Sequence, residues 1–278
     1  MNYRHAYHAG NFADVMKHTA LVAVLLHLRK KDAPFVVVDT HAGRGLYDLA
    51  GEAAAKTGEA DAGIARLLAE SDIPGVLRTY ADIVRGFGAA KYPGSPVIAA
   101  QLLRKTDRLV AIEKHVEEFA ALKAALAASA RARAVLGDGY EQLKRLVPPP
   151  ERRGMILIDP PYEQSDEFEH LAACFADAFR RFATGIYLIW LPIKTRHDAD
   201  ALAGEILNEG VVKLLLLTLD VGHASDAPPE RLAATGLFVV NPPFGFADEM
   251  QDALAFMARQ LVQNVGGVSN VEWLTGGE

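Results

Sequence analysis

The chain has 278 residues, half of them hydrophobic and 23% charged, and Lys+Arg 29 against Asp+Glu 35 leaves a formal net charge of −6. Such a composition fills the core of a large α/β domain and excludes a disordered chain. Its mild acidity argues against a protein that coats nucleic acid without specificity, although a local basic face is compatible with it. The longest near-continuous apolar stretch, Gly185 to Ile193, is too short to cross a bilayer. The opening Met1-Asn2-Tyr3-Arg4-His5 lacks the apolar core of a signal peptide. A single cysteine, Cys174, excludes an internal disulfide and a thiolate zinc site. A cytoplasmic protein with no membrane partner and no metal is expected.

The first predicted element is a helix from Asn11 to Lys31, with Asn11 as its cap and Arg29, Lys30 and Lys31 at its negative end. Pro34 stops it. Strands are expected at Phe35–Asp39, Arg108–Glu113, Ala132–Leu136, Met155–Asp159, Gly185–Leu191, Val211–Leu219 and Thr235–Asn241. Most are continuous apolar runs, as strands covered on both faces require. Helices fit between them at His115–Ala130, Gly139–Leu146, Ser165–Phe182, His197–Asn208 and Phe246–Val265. The alternation predicts a doubly wound, mostly parallel seven-stranded sheet. Only a loop, about Asp220–Arg231, joins the last two strands, so one of that pair should run antiparallel. Between Gly45 and Pro93 no β-branched run suggests a strand, whereas Ile64, Leu67, Leu68, Leu77, Ile83 and Val84 are spaced for short helices. Residues 46–93 read as a small helical insertion within a single domain spanning 1–278.

Val36-Val37-Val38-Asp39-Thr40-His41-Ala42-Gly43-Arg44-Gly45 is a strand ending in an acid, then a turn of small residues. It is a poor dinucleotide fingerprint, because Asp48 stands where a third glycine belongs. The acids say more. Asp39, Glu113, Asp138 and Asp159 each stand at or just beyond the carboxyl end of a predicted strand, along the rim where open α/β sheets bind ligands. Such a rim suits a cofactor with a ribose, an adenine amine and a cationic centre but no phosphates. S-adenosyl-L-methionine has those properties, with S-adenosyl-L-homocysteine as its product. Pro93-Gly94-Ser95-Pro96 reads as a helix start with Ser95 as cap, whose free N–H groups would hold the methionine carboxylate.

Asp159-Pro160-Pro161-Tyr162 follows the fourth strand directly. The exocyclic amine of adenine is a poor nucleophile, since its lone pair is delocalised into the ring. A carboxylate and a proline-fixed carbonyl that both accept from the amine would favour the pyramidal geometry that aims the lone pair at a methyl group. Two prolines stiffen the turn, and Tyr162 suits stacking on an unpaired base. The later Asn241-Pro242-Pro243-Phe244 resembles this motif but follows the strand expected to be antiparallel, which would put it on the opposite edge as a structural turn. Tyr3 to Phe12, with Lys17 and His18, is dense in aromatic and basic residues and forms either a nucleic-acid contact or a tail packed on the sheet.

These motifs together resemble the ribosomal RNA large subunit methyltransferase J family over essentially the whole chain. The resemblance rests on Tyr3 to His18, Asp39-Thr40-His41-Ala42-Gly43, Pro93-Gly94-Ser95-Pro96 and Asp159-Pro160-Pro161-Tyr162-Glu163, the first being the most specific. It implies a Rossmann-type methyltransferase with a small helical insertion. The implied activity is methylation of the N6 amine of one adenine in 23S ribosomal RNA free of ribosomal proteins. It further implies that His18, His41, Ser95, Glu113, Asp138, Gly139 and Asp159, with Lys17, contact S-adenosyl-L-methionine, and that Asp159 is catalytic. Tyr3, Arg4, His5, Pro160 and Tyr162 would meet the RNA, and the enzyme would act as a monomer.

Two other readings use the same residues. A DNA adenine methyltransferase shares the tetrapeptide but usually carries a sizeable target-recognition domain, for which the insertion, with Arg66, Arg78, Arg85 and Lys91, is the sole candidate. A non-catalytic assembly factor would have little need for both Asp159 and Tyr162.

Overall fold

The structure, a computed structural model, describes residues 7–51, 56–193, 196–222, 232–264 and 267–277. Helix α1 (Phe12–Arg29) begins where the Asn11 side chain accepts the Asp14 N–H at 3.0 Å. β1 (Val36–Asp39) follows. β2 (Leu46–Asp48) and β3 (Lys91–Pro93) then pair as an antiparallel ribbon. They bracket a π-turn (Asp61–Ala65), α2 (Arg66–Ala69) and α3 (Gly75–Arg85). Next come α4 (Ser95–Leu102), β4 (Arg108–Glu113), α5 (Val116–Ala125), β5 (Ala132–Leu136) and α6 (Gly139–Leu146). β6 (Gly154–Ile158), α7 (Glu167–Arg181), β7 (Ile186–Pro192) and α8 (Arg196–Asn208) continue the alternation. β8 (Leu214–Asp220), β9 (Ala234–Val240), α9 (Phe246–Gln260) and β10 (Val268–Thr275) complete the described elements.

The main sheet has eight strands in the order β10-β8-β9-β7-β6-β1-β4-β5. From β5 through β4, β1, β6 and β7 it is parallel. β9 runs antiparallel between β7 and β8, and β10 runs antiparallel along β8. The expected α/β class holds, with a correction from seven strands to eight and from one antiparallel strand to two. β10 mixes polar and apolar residues on a half-exposed edge, so it offers no continuous apolar run to read. The ribbon β2–β3 is a second correction, since three-residue strands held by pairing need no β-branched run.

β1 and β6 are buried along their whole length. One apolar core lies beneath α1, α4, α9 and the helices of the insertion, and a second lies beneath α6, α7 and α8 on the other face. β1 sits between β4 and β6, so the chain leaves it on one side and returns on the other. That reversal opens a crevice outside the carboxyl ends of β1 and β6.

The turn after β9 lies at the other edge. Asn241 has φ +54°, and its Nδ2 donates to the carbonyls of Ala183 and Gly185, both at 2.8 Å, just before β7 begins. The second proline motif is thus separated from Asp159 by the length of a strand, as the direction of β9 demands. Part of the Asp220–Arg231 loop, residues 223–231, falls outside the described residues.

Candidate active site

Asp39 ends β1, and Asp159 follows the last residue of the neighbouring strand β6. Opposite them stands Lys17 of α1, only 3% exposed. Its ammonium donates to Asp159 Oδ2 at 2.5 Å and rests 2.9 Å from Asp14 Oδ1, one helical turn back. Burial alone would lower the Lys17 pKa, but the two carboxylate charges and their hydrogen bonds carry it well above the ordinary lysine value. Asp14 is itself fixed, since its Oδ2 accepts the Gly10 N–H at 2.9 Å. The lysine is therefore a permanent cation between two acids.

Asp39 is buried, and burial pushes its pKa up to about 7, with the Asp159 charge adding to the rise while a Ser95 hydrogen bond and Lys17 oppose it. Ser95 Oγ donates to Asp39 Oδ2 at 2.6 Å. Ser95 is thus not the helix cap that Gly-Ser-Pro suggested; Gly94 occupies that position and Ser95 is the first residue of α4. Its hydroxyl serves the buried carboxylate, where an unmade hydrogen bond is costly. Asp39 Oδ1 remains buried with no hydrogen-bond partner among the described residues.

Around this pair the turn after β1 is tightly built. Burial drops the His41 pKa to about 4, so the ring is neutral; its Nδ1 lies 2.8 Å from Thr40 Oγ1 and its ring meets Tyr140 edge-on at 5.0 Å. A Cβ on Gly139 would lie 2.1 Å from the Thr40 carbonyl oxygen, so only glycine permits α6 to start this close to the turn. Asp138 caps α6, accepting the Tyr140 and Glu141 N–H groups at 3.0 and 3.3 Å, while Lys114 reaches its other oxygen at 3.0 Å. Burial would raise the Asp138 pKa, but the Lys114 hydrogen bond and charge and the two N–H groups hold it below the usual value. Glu113, also buried, accepts the His115 N–H at 2.7 Å through Oε1.

On the far side of Asp159, Pro160 is buried and Tyr162 adopts φ +52°. The Tyr162 hydroxyl donates to the Trp190 carbonyl at 2.6 Å, and its ring packs against Phe168 at 5.0 Å and edge-on against Trp190 at 5.7 Å. His18 is placed differently from the other site residues. It is 1% exposed, and its Nδ1 meets the Tyr92 hydroxyl of the insertion at 2.7 Å. Tyr3, Arg4 and His5 lie outside the described residues. Their neighbours are anchored on the insertion: His8 and Asn11 both bond Glu59 at 3.0 Å, and Thr57 donates to the Tyr7 carbonyl at 2.5 Å.

Asp14, Trp190 and Tyr92 complete the site and were not singled out from sequence. Asp14 was readable, because residues three and four positions before Lys17 and His18 share their helix face. Trp190 lies on the strand beside β6, with its ring centroid 5.7 Å from Lys17 Nζ and its Nε1–H donating to Thr235 Oγ1 at 2.7 Å. No local signal marks Tyr92. Cys174 is buried, and burial pushes its thiol up to about 12, as an inert core side chain requires.

Four cations of the insertion are engaged. Arg66 donates to the Val262 carbonyl, Arg78 and Arg85 pair with Asp72 and Asp82, and Lys91 pairs with Asp48.

Residues 32–275 match the family model described as "Ribosomal RNA large subunit methyltransferase D, RlmJ". The chain is 39% identical over 278 residues to ribosomal RNA large subunit methyltransferase J of Escherichia coli, and 35% identical over 280 residues to that of Haemophilus influenzae. Each alignment covers 99% of both partners. A crystal structure of a Legionella pneumophila protein, 30% identical, superposes with a TM-score of 0.88 over 96% of this chain and 98% of that one. The crevice at the β1–β6 reversal and these whole-length matches agree: the chain belongs to the ribosomal RNA large subunit methyltransferase J family.

Proposed function

We propose that the chain methylates the exocyclic N6 amine of one adenine in 23S ribosomal RNA, acting on RNA free of ribosomal proteins, with S-adenosyl-L-methionine as donor. The observation that carries this reading is the Lys17–Asp159 pair set beside the orphaned carboxylate oxygen of Asp39 at the reversal of the sheet.

The residues fit the cofactor. Asp39 Oδ1 is a buried acceptor lacking a donor, which the α-ammonium of a methionine would supply. Ser95 orients that carboxylate, and Gly139 lets α6 begin directly against the turn after β1. Glu113 would meet the ribose hydroxyls and Asp138 the adenine end, with His41 as a neutral ring against Tyr140. His18 and Lys17 close the α1 side. When bound, S-adenosyl-L-methionine supplies a methyl group already activated on a sulfonium, so positioning provides most of the rate.

Asp159 does the positioning. Its Oδ2 is held by Lys17, which leaves Oδ1 to accept one N–H of the target amine. The backbone carbonyl of the buried Pro160 is the second acceptor. In this role the carboxylate orients the amine toward the methyl donor. Tyr162, braced by Trp190 and Phe168, forms a rigid wall for a base turned out of its stack. Tyr3, Arg4 and His5 are the further residues assigned to RNA contact.

The test is a substrate panel. Purified protein and labelled S-adenosyl-L-methionine are incubated with protein-free 23S rRNA, assembled large subunits and duplex DNA, and the label is mapped by mass spectrometry. Incorporation into a single adenine of the free RNA is expected. Label in DNA alone would select the DNA methyltransferase reading, and no label anywhere the non-catalytic one.

A further inference from the structure

The insertion contributes a hydrogen-bond chain that has one self-consistent direction. Tyr80 of α3 and Tyr92 of β3 are fully buried, with hydroxyls 2.9 Å apart, and Tyr92 lies 2.7 Å from His18 Nδ1. Desolvation, above all, raises both phenol pKa values far beyond the ordinary tyrosine range, so both hydroxyls keep their protons. Tyr80 has no other hydrogen-bond partner among the described residues, so its proton goes to the Tyr92 oxygen. The Tyr92 proton then has one acceptor left, His18 Nδ1. A proton on Nδ1 would strand one of the two buried hydroxyls without an acceptor, an arrangement native interiors avoid. His18 must therefore be neutral and carry its hydrogen on Nε2.

That choice matters on the other side of the ring. His18 Nε2 faces Asp14 Oδ1 at 4.0 Å, the oxygen on which Lys17 rests at 2.9 Å before reaching Asp159. An N–H directed there attracts the carboxylate, whereas a lone pair would repel it. We propose that Tyr92 and Tyr80 are positioning residues for methyl transfer: they hold His18 as the Nε2–H tautomer and, through Asp14, keep Lys17 set against Asp159. The insertion is thus a brace for the catalytic pair. This rests on the crevice being the methyl-transfer site.

The test pairs a spectroscopic signature with kinetics on the full-length protein. Long-range ¹⁵N–¹H correlation spectra report which imidazole nitrogen of His18 is protonated, and kcat and KM are measured on protein-free 23S rRNA. Wild type should show an unprotonated Nδ1. Tyr92→Phe should mix the tautomers and lower kcat about tenfold, with KM for RNA unchanged. Tyr80→Phe, which leaves the Tyr92 donor in place, should lower it about threefold. Ile73→Val, a packing change in the same insertion, should keep kcat at the wild-type value. An Nδ1-protonated His18 in wild type, or Tyr92→Phe as fast as wild type, overturns the inference; if Tyr92→Phe does not fold, Tyr80→Phe is judged by the same criterion. Wild type with the expected tautomer but no transfer to any nucleic acid sinks the reading of the crevice and this role with it. An active wild type with an insensitive Tyr92→Phe sinks the role alone.

Discussion

Lys17 and Asp159 stand 142 residues apart in the chain and 2.5 Å apart in space. Through this contact the first helix is tied to the end of β6. Asp14 shares the same ammonium at 2.9 Å, so the cation is fixed from two sides and stays protonated. Two consequences follow for Lys17→Met. Removing one member of a buried ion network leaves carboxylates without their counter-charge and costs about 3–5 kcal/mol. Urea denaturation should show that loss, and methyl transfer should fall because Asp159 loses its anchor. A variant as stable as wild type would mean the pair is solvated.

Asp39 predicts a pH dependence of cofactor affinity. Its folded pKa of about 7 lies above the ordinary 3.8, so in the free enzyme the carboxyl ionises as the pH rises through neutrality. Only the ionised form attracts an α-ammonium. Calorimetric affinity for S-adenosyl-L-homocysteine should therefore increase from about pH 6 to about pH 8. The same shift means that Asp39 lowers the stability of the free protein progressively as the pH rises from about 4 to about 7, and ligand binding offsets that loss. Asp39→Asn should bind weakly and without this pH dependence.

Ser95→Ala removes the hydroxyl that Asp39 Oδ2 accepts at 2.6 Å. Oδ2 then loses its side-chain donor, and the pKa rises further. The affinity profile should shift to higher pH, with a loss of about 1–3 kcal/mol in binding at neutral pH. An unchanged profile would show that the hydroxyl does not tune the carboxyl.

Gly139→Ala places a methyl group 2.1 Å from the Thr40 carbonyl oxygen. Both partners are backbone-borne, so relief requires α6 or the β1 turn to move. Thermal unfolding should show a loss of about 1–3 kcal/mol. Added S-adenosyl-L-homocysteine should raise the melting temperature of the variant less than that of wild type.

RNA affinity and cofactor affinity should respond differently to salt. With a net charge of −6, the chain depends on a restricted basic surface for RNA, so binding should weaken steeply as salt displaces it from phosphates. The buried charges around Asp39 are screened much less. Filter binding and calorimetry over one salt series separate the two, and a flat RNA response would contradict the proposed contact.

What could be read in advance followed local rules. β4, β5 and α6 have the bounds expected of them, and Asn11 caps α1 as its residue type favours. The four rim acids were legible because strand ends repeat a pattern. What escaped depends on distant partners. Ser95 obeys Asp39, 56 residues away, over its own helix end. Tyr92 belongs to a three-residue strand with no β-branched run, yet its hydroxyl governs a histidine 74 residues earlier. β10 is a half-exposed edge whose mixed sequence offers no apolar run, and Trp190 acquires meaning only beside Lys17.

The most direct measurement concerns Asp159 itself. Protein-free 23S rRNA is treated with labelled donor and either wild type or Asp159→Asn, then digested, and N6-methyladenosine is quantified. Wild type should label one adenine, and Asp159→Asn at least about a hundredfold less, while the melting curve stays cooperative. An Asp159→Asn enzyme as active as wild type, or label on a nucleoside other than adenosine, would contradict the role given to this carboxylate.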